Sequence, residues 1–263
     1  MSISAPFIKS ADLPGAIAAL TTEVKKKPAE IGARFELAEC LMLSGSLDRA
    51  DNHLDIIMNQ DTSWGMIVAM LRQLIRGLIS RDEVFSQGRS PEFLGAPTDT
   101  MQALLKAWQA LRQNDLAQAA ALCAEAESAR PAVKGICNGK PFDDFRDGDD
   151  MTAGIFEVLT SNGKYYWVAT ESVNSMIFRP VEKPRDLILR PVEMDIQDGP
   201  EGLVFIPSSY WRPASLITDA ERLGHMTDWS DDAGPVRGIG QRCFLVGEDS
   251  LGISEFDEVE FTR

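Results

Sequence analysis

The sequence predicts an α+β multidomain protein. A tetratricopeptide-like helical-repeat domain spans residues 1–134, and a β-rich domain, an antiparallel sheet or partly closed barrel, spans residues 135–263. Three observations predict this. Apolar residues recur at helical spacing from Leu13 to Ala129. A 34-residue period runs through that stretch, the length of one helix–turn–helix repeat. After Lys134 the period shortens to strand-like alternation, and the charge balance changes with it. Residues 1–134 carry fourteen basic and sixteen acidic side chains; residues 135–263 carry twelve and twenty-four.

The repeat emerges when segments are overlaid. Leu13, Ala16, Leu20 and Pro28 align with Leu47, Ala50, Leu54 and Thr62 at an offset of 34. The second set aligns with Leu116, Ala119, Cys123 and Pro131 at an offset of 69. Small residues at Ala38 and Ala50 let paired helices approach closely, and Gly45 and Asn114 suit the left-handed turn that ends the first helix of a pair. Helices are predicted over Leu13–Lys27, Ile31–Ser44, Leu47–Gln60, Trp64–Ser80, Thr100–Arg112 and Leu116–Ala129. The segment Ser86–Thr98, rich in Gly, Ser and Pro, reads as a loop over the array.

Gly135–Asp150 reads as a glycine- and aspartate-rich connector at which the two halves separate. Strands are then predicted over Ile155–Leu159, Tyr165–Ala169, Val173–Phe178, Leu187–Ile196, Leu203–Ile206, Gln241–Val246 and Glu258–Phe261, with Thr218–Leu223 a short helix at most. Asn162-Gly163 is the expected type I′ hairpin turn, and Asp198-Gly199 marks another turn. Trp167 alternates with Tyr165 in a strand apolar on both faces, so Trp167, with Trp211 and Trp229, is expected in a core or an interface between the halves.

Composition excludes several function classes. The opening residues hold no basic cluster followed by an apolar run, so no secretory signal is read and a cytoplasmic location is expected. The most apolar stretch, Trp64–Ile79, is interrupted by Arg72, Gln73, Arg76 and Gly77, so no membrane span is expected. A net charge of −14 argues against nucleic acid. The four scattered cysteines are expected as reduced thiols.

No motif carries catalysis, a metal or a cofactor. Fitting a calcium loop around Gly148 places Phe145 and Gly154 where oxygen ligands are needed. Gly238-Ile239-Gly240 is followed by a strand, not the helix a dinucleotide fingerprint requires. His53 and His225 fall in different halves, and no serine has a nucleophile-elbow context. An enzymatic alternative would need Thr227, Asp228 and Arg242 to line one deep pocket. The leading reading is protein binding along the concave face of the helical array. Phe35, Glu39 and Met42 line that face in one unit; Leu104, Trp108 and Leu111 line it in the other. The competing assignment for these residues is core, and a general co-chaperone is the alternative among binding functions.

Several short segments resemble one family. They are Asn138-Gly139-Lys140-Pro141-Phe142, Gly163 to Val168, Pro184-Arg185-Asp186-Leu187 with Arg190-Pro191, Val204 to Pro207, Thr227-Asp228-Trp229 and Gly238 to Arg242. Arg81 to Phe85 and Pro91 to Leu94 add to them in the first half. Together they resemble the ImpE/TagJ (SciE) family of type VI secretion accessory proteins, over nearly the whole chain. The resemblance implies a non-enzymatic adaptor with a tetratricopeptide-like front and a β-rich rear. It also implies as partners the small subunit of the contractile sheath, contacted through an amphipathic helix, and the AAA+ ATPase that recycles contracted sheath. It supplies no catalytic residues.

Overall fold

The computed structural model describes residues 2–262. A short helix, α1 (Ala5–Lys9), precedes α2 (Leu13–Lys26), α3 (Ile31–Leu43), α4 (Leu47–Gln60), α5 (Gly65–Gln87), α6 (Asp99–Arg112) and α7 (Leu116–Ala129). Side chains set the starts: Asp12, Thr98 and Asp115 each accept a hydrogen bond from a backbone N–H of the first turn. Gly45 (φ 73°) and Asn114 (φ 60°) take the left-handed conformation between α3 and α4 and between α6 and α7. Ala38, Ala50, Ala107 and Ala119 are fully buried in these two hairpins.

Two expectations for this half need correction. The opening helix α1 was not foreseen, and α5 continues seven residues past Ser80, to Gln87. The continuation carries Arg81, Val84 and Phe85, all buried, and ends at Gly88 in the left-handed region (φ 80°). Gly88–Thr98 then forms the loop.

Thirteen strands follow among the described residues: β1 (Lys134–Cys137), β2 (Lys140–Phe142), β3 (Phe145–Asp147), β4 (Ile155–Thr160), β5 (Tyr165–Ala169), β6 (Val173–Phe178), β7 (Leu189–Ile196), β8 (Glu201–Pro207), β9 (Thr227–Trp229), β10 (Gly238–Gly240), β11 (Cys243–Val246), β12 (Asp249–Gly252) and β13 (Glu258–Thr262). One turn of helix, α8 (Asp219–Arg222), lies between β8 and β9. Eight strands form an open antiparallel sheet in the order β2-β1-β13-β6-β7-β8-β4-β5, with β2 and β5 as its ends rather than joined into a barrel. A three-stranded sheet (β12-β11-β3) and a two-stranded ribbon (β10-β9) complete this half.

The glycine- and aspartate-rich connector is not a solvated linker. It folds into β1, β2 and β3, and Asp147 and Asp149 are buried. The type I′ turn lies here too. Asn138 (φ 49°) and Gly139 (φ 79°) join β1 to β2, with Cys137 opposite Lys140. At Asn162-Gly163 only Gly163 is left-handed (φ 84°), so the β4–β5 hairpin closes through a longer turn. A side chain at Gly163 would collide with Gln73, because the hairpin tip abuts α5. Gly77 of α5 lies as close to the side chain of Leu159.

These contacts reflect a core shared between the halves. One face of the large sheet contributes Leu159, Tyr165, Trp167 and Phe205 to a cluster containing Leu74, Phe85, Leu104 and Trp108 from the helices. The other face packs Phe156, Met176 and Val259 against Phe145 and Phe244 of the three-stranded sheet, with Phe256 beside them. The expected separation at residues 135–150 thus meets an obstacle: parting the halves would expose the Phe85–Trp108–Trp167 cluster to water.

A buried ion network reinforces the junction. Arg81 of α5 grips Glu157 of β4 with two hydrogen bonds (2.7 and 2.9 Å) and donates a third to the Ser209 carbonyl (3.0 Å). Arg242 bridges Glu157 to Asp147. The Tyr165 hydroxyl donates to Glu157 and accepts from the Trp167 indole N–H (2.9 Å). Burial alone would raise Glu157, but Arg81 and Arg242 hold its carboxyl down at about 2.

Candidate protein-binding site

α3 presents Phe35 and Glu36 on one turn and Glu39 on the next. Opposite stand Trp64 and Ile67, where a 3-10 turn over Thr62–Trp64 runs into α5. Ile8 of α1 forms a third wall, and the turn Pro184–Leu187 of the β-rich half closes the fourth. Between them is a groove of about 650 Å³.

The Phe35 and Trp64 rings meet at 5.1 Å between centroids. Arg185 lies over the Phe35 ring at 5.8 Å and pairs with Glu39 at 2.5 Å. The preceding segment is held by Glu36, whose carboxylate accepts from the backbone N–H groups of Ile3 and Ser4 and from the hydroxyls of Ser2 and Ser4. On the far wall Asp186 accepts from the N–H groups of Glu182 and Lys183, fixing the turn that aims Arg185. The groove is therefore apolar along its sides, cationic and anionic at one end, and built on tied-down segments.

Burial pushes the Glu39 carboxyl up to about 7 against the pull of Arg185. A carboxyl raised in the folded state stabilises the fold fully below its ordinary value near 4.5, and that contribution is lost as pH rises through about 7. Glu39→Gln removes this titration. The stability of the parent should therefore fall relative to the variant between about pH 4.5 and 7, in urea denaturation at several pH values. Parallel curves would show that Glu39 does not titrate in that window.

The six residues expected on one concave face do not share one. Phe35 is half-buried in the groove, and Glu39 is buried at its end, taken by Arg185. Met42 is buried one turn further along α3, beside a second cleft. Leu104 and Trp108 are buried beneath the β-rich half, with the Trp108 indole N–H donating to the Met151 carbonyl (3.1 Å), and Leu111 is half-buried at the edge of that cluster. The lower concave face is thus filled by the chain's own sheet, which corrects the expectation of an open groove at Leu104 and Trp108. The signal missed in the sequence was Pro184-Arg185-Asp186-Leu187, which supplies a wall of the groove from far along the chain.

The residues of the enzymatic alternative are not brought together. Arg242 is wholly buried in the ion network, Asp228 is exposed, and Thr227 is half-buried and donates to the Gln241 carbonyl. Among the described residues no group of three or more His, Cys, Asp or Glu is arranged to hold a metal ion, and no helix is long and apolar enough to cross a membrane. The four cysteines are free thiols. Of the three tryptophans expected in a core or interface, Trp167 is buried and Trp211 packs against both Phe85 and Trp108. Trp229 is more than a third exposed, against Tyr210.

Comparison with known proteins places this architecture. The family model described as ImpE protein matches residues 139–260. The type VI secretion system accessory component TagJ of Pseudomonas aeruginosa is 29% identical over 259 residues, which covers 98% of this chain and 91% of that protein. Residues 139–260 match the ImpE domain, and the chain is similar to TagJ over nearly its whole length. A crystal structure of protein VPA1032 from Vibrio parahaemolyticus superposes with a TM-score of 0.90 at 26% identity, covering 98% of this chain and 97% of that one. Within this fold the segments that carried the resemblance sit at structural junctions. Arg81 and Arg242 meet in the ion network, Asn138-Gly139 makes the tight turn, and Thr227-Asp228-Trp229 pairs with Gly238-Ile239-Gly240 in the ribbon.

Proposed function

We propose that this protein is a non-enzymatic accessory component of a type VI secretion system, and that it holds an amphipathic helix of the sheath's small subunit in the groove beside Phe35 and Trp64. Through that contact it is linked to the AAA+ ATPase that recycles contracted sheath. The similarity to TagJ, itself an accessory component of such a system, supports the setting. The observation that carries the binding mode is the groove: about 650 Å³, with an aromatic pair and aliphatic residues from three separate segments along its sides. Such a surface suits the apolar stripe of a helix, and a few large side chains supply most of the affinity at interfaces of this kind.

The test uses two half-buried wall residues, Ile8 and Ile67, each changed to glutamate. Fluorescence anisotropy with a labelled peptide from the start of the sheath small subunit should show binding weakened about 30-fold or more. Full binding by a folded double variant would remove the groove from the mechanism. Equal affinity for unrelated amphipathic helices would favour the general co-chaperone.

A further inference from the structure

A second cleft, separate from the Phe35–Trp64 groove, opens between the α3–α4 turn, the middle of α5 and the segment of residues 209–222, with a volume of about 420 Å³. Its floor is apolar, formed by Met42, Leu78, Ile79, Ile188 and Trp211. Three arginines line it. Arg81 is committed to Glu157. Arg212 and Arg222 are not committed: among the described residues no carboxylate lies within ion-pair distance of either. Arg222 gives one hydrogen bond, to the Ala214 carbonyl (3.1 Å). Nη2 of Arg212 is buried with no hydrogen-bond partner at all. Gly45 lies beside Arg222, where an added Cβ would touch Nη1 at 3.7 Å.

The geometry points to this cleft as a receptor for an oxyanion, a carboxylate or phosphate, carried on an apolar body. A guanidinium stripped of water without a compensating acceptor is costly, and an oxyanion arriving at Arg222 and the cleft-lining side of Arg212 would supply charge-assisted hydrogen bonds there. Burial lowers both Arg212 and Arg222 from the ordinary arginine value, consistent with that loss of water. The acidic groups nearby do not fill the role: Asp149 and Asp232 act on Arg212, and Asp219 on Arg222, from beyond ion-pair distance. Asp48 and Asp82 are exposed on the rim of the cleft, and Asp82 already accepts the Trp211 indole N–H (2.9 Å). Tyr210 is directed to Asp147 and the Cys243 carbonyl. The apolar floor selects for a ligand with more than a bare anion to bury, and a cleft of this volume takes one of modest size.

Three probes test the proposal on the full chain: inorganic phosphate, 3-phenylpropionate, and an acetylated peptide amide with one glutamate among leucines. Titration is followed by the indole N–H resonances of the wild-type protein and by calorimetry. The expected result is saturable binding of phenylpropionate that shifts the Trp211 resonance, at least tenfold tighter than phosphate. Arg212→Gln/Arg222→Gln should weaken it at least tenfold, and Arg89→Gln should leave it unchanged. Peptide binding tighter than phenylpropionate assigns the oxyanion to a protein partner, and the reverse assigns it to a free small molecule. Absence of saturable binding, phosphate binding as tight as phenylpropionate, or shifts that leave Trp211 unmoved would overturn the proposal. Because the resonance shifts are read on wild-type protein, failure of the double variant to fold does not affect the test.

Discussion

Glu157→Ala is expected to cost about 3–5 kcal/mol or more of the protein's stability. The carboxylate is buried between two guanidinium groups, Arg81 from the helical half and Arg242 from the β-rich half, and also accepts the Tyr165 hydroxyl. Removing it leaves Arg81 buried with no carboxylate partner, and Arg242 beside it with Asp147 alone. Against a total stability of about 5–15 kcal/mol, that loss is severe. Glu157→Gln should be damaging too, because the shape survives but the charge does not. Urea denaturation followed by circular dichroism reads the effect, and a midpoint shift equivalent to under about 1 kcal/mol would show that the network contributes little. The expected loss should appear in both halves at once, since Arg81 carries it into α5.

Trp167→Ala is expected to cost about 3–5 kcal/mol by the cavity it leaves. Its ring is buried against Phe85, and its indole N–H donates to the Tyr165 hydroxyl, which in turn holds Glu157. The substitution therefore opens a void in the shared core and removes a support of the ion network. Thermal denaturation with an unchanged midpoint would contradict the packing described here. Trp108→Asp belongs to the same class, because it would place a charge in that cluster rather than on a binding face.

What could be read from the sequence was local, and what could not was long-range. The helix ends near Gly45 and Asn114 were legible because one left-handed residue decides each turn. The last turns of α5 were not, since Arg81-Asp82-Glu83 looks like a polar break until Arg81 meets Glu157, 76 residues later. Asp147 and Asp149 looked like linker residues for the same reason: Arg242, the counter-charge of Asp147, lies 95 residues away. Two Asn-Gly pairs were equivalent in sequence, and only the strand register shows that the one at residue 138 closes the tight turn. In the candidate site, helical register found Phe35 and Glu39 on one face. It could not show that Leu104 and Trp108 are covered by a sheet made later in the chain, or that Arg185 completes the groove.

The strand order has a consequence for how the chain is made. β13 lies inside the large sheet, hydrogen-bonded to β1 on one side and β6 on the other, yet it is synthesised after every other strand. Until Glu258–Thr262 has emerged, β1 and β2 have no connection to the rest of the sheet, and β6 offers a bare edge to any neighbouring nascent chain. The helices do not share that wait, because Leu159, Tyr165, Trp167 and Phe205, which cover Phe85, Leu104 and Trp108, lie on β4, β5 and β8. At translation speeds of roughly 5–20 residues per second, the exposure of the β6 edge lasts seconds, long enough for a ribosome-bound chaperone to matter. A ribosome stalling before the codon for Glu258 would therefore release a chain whose helices can form but whose sheet remains split in two.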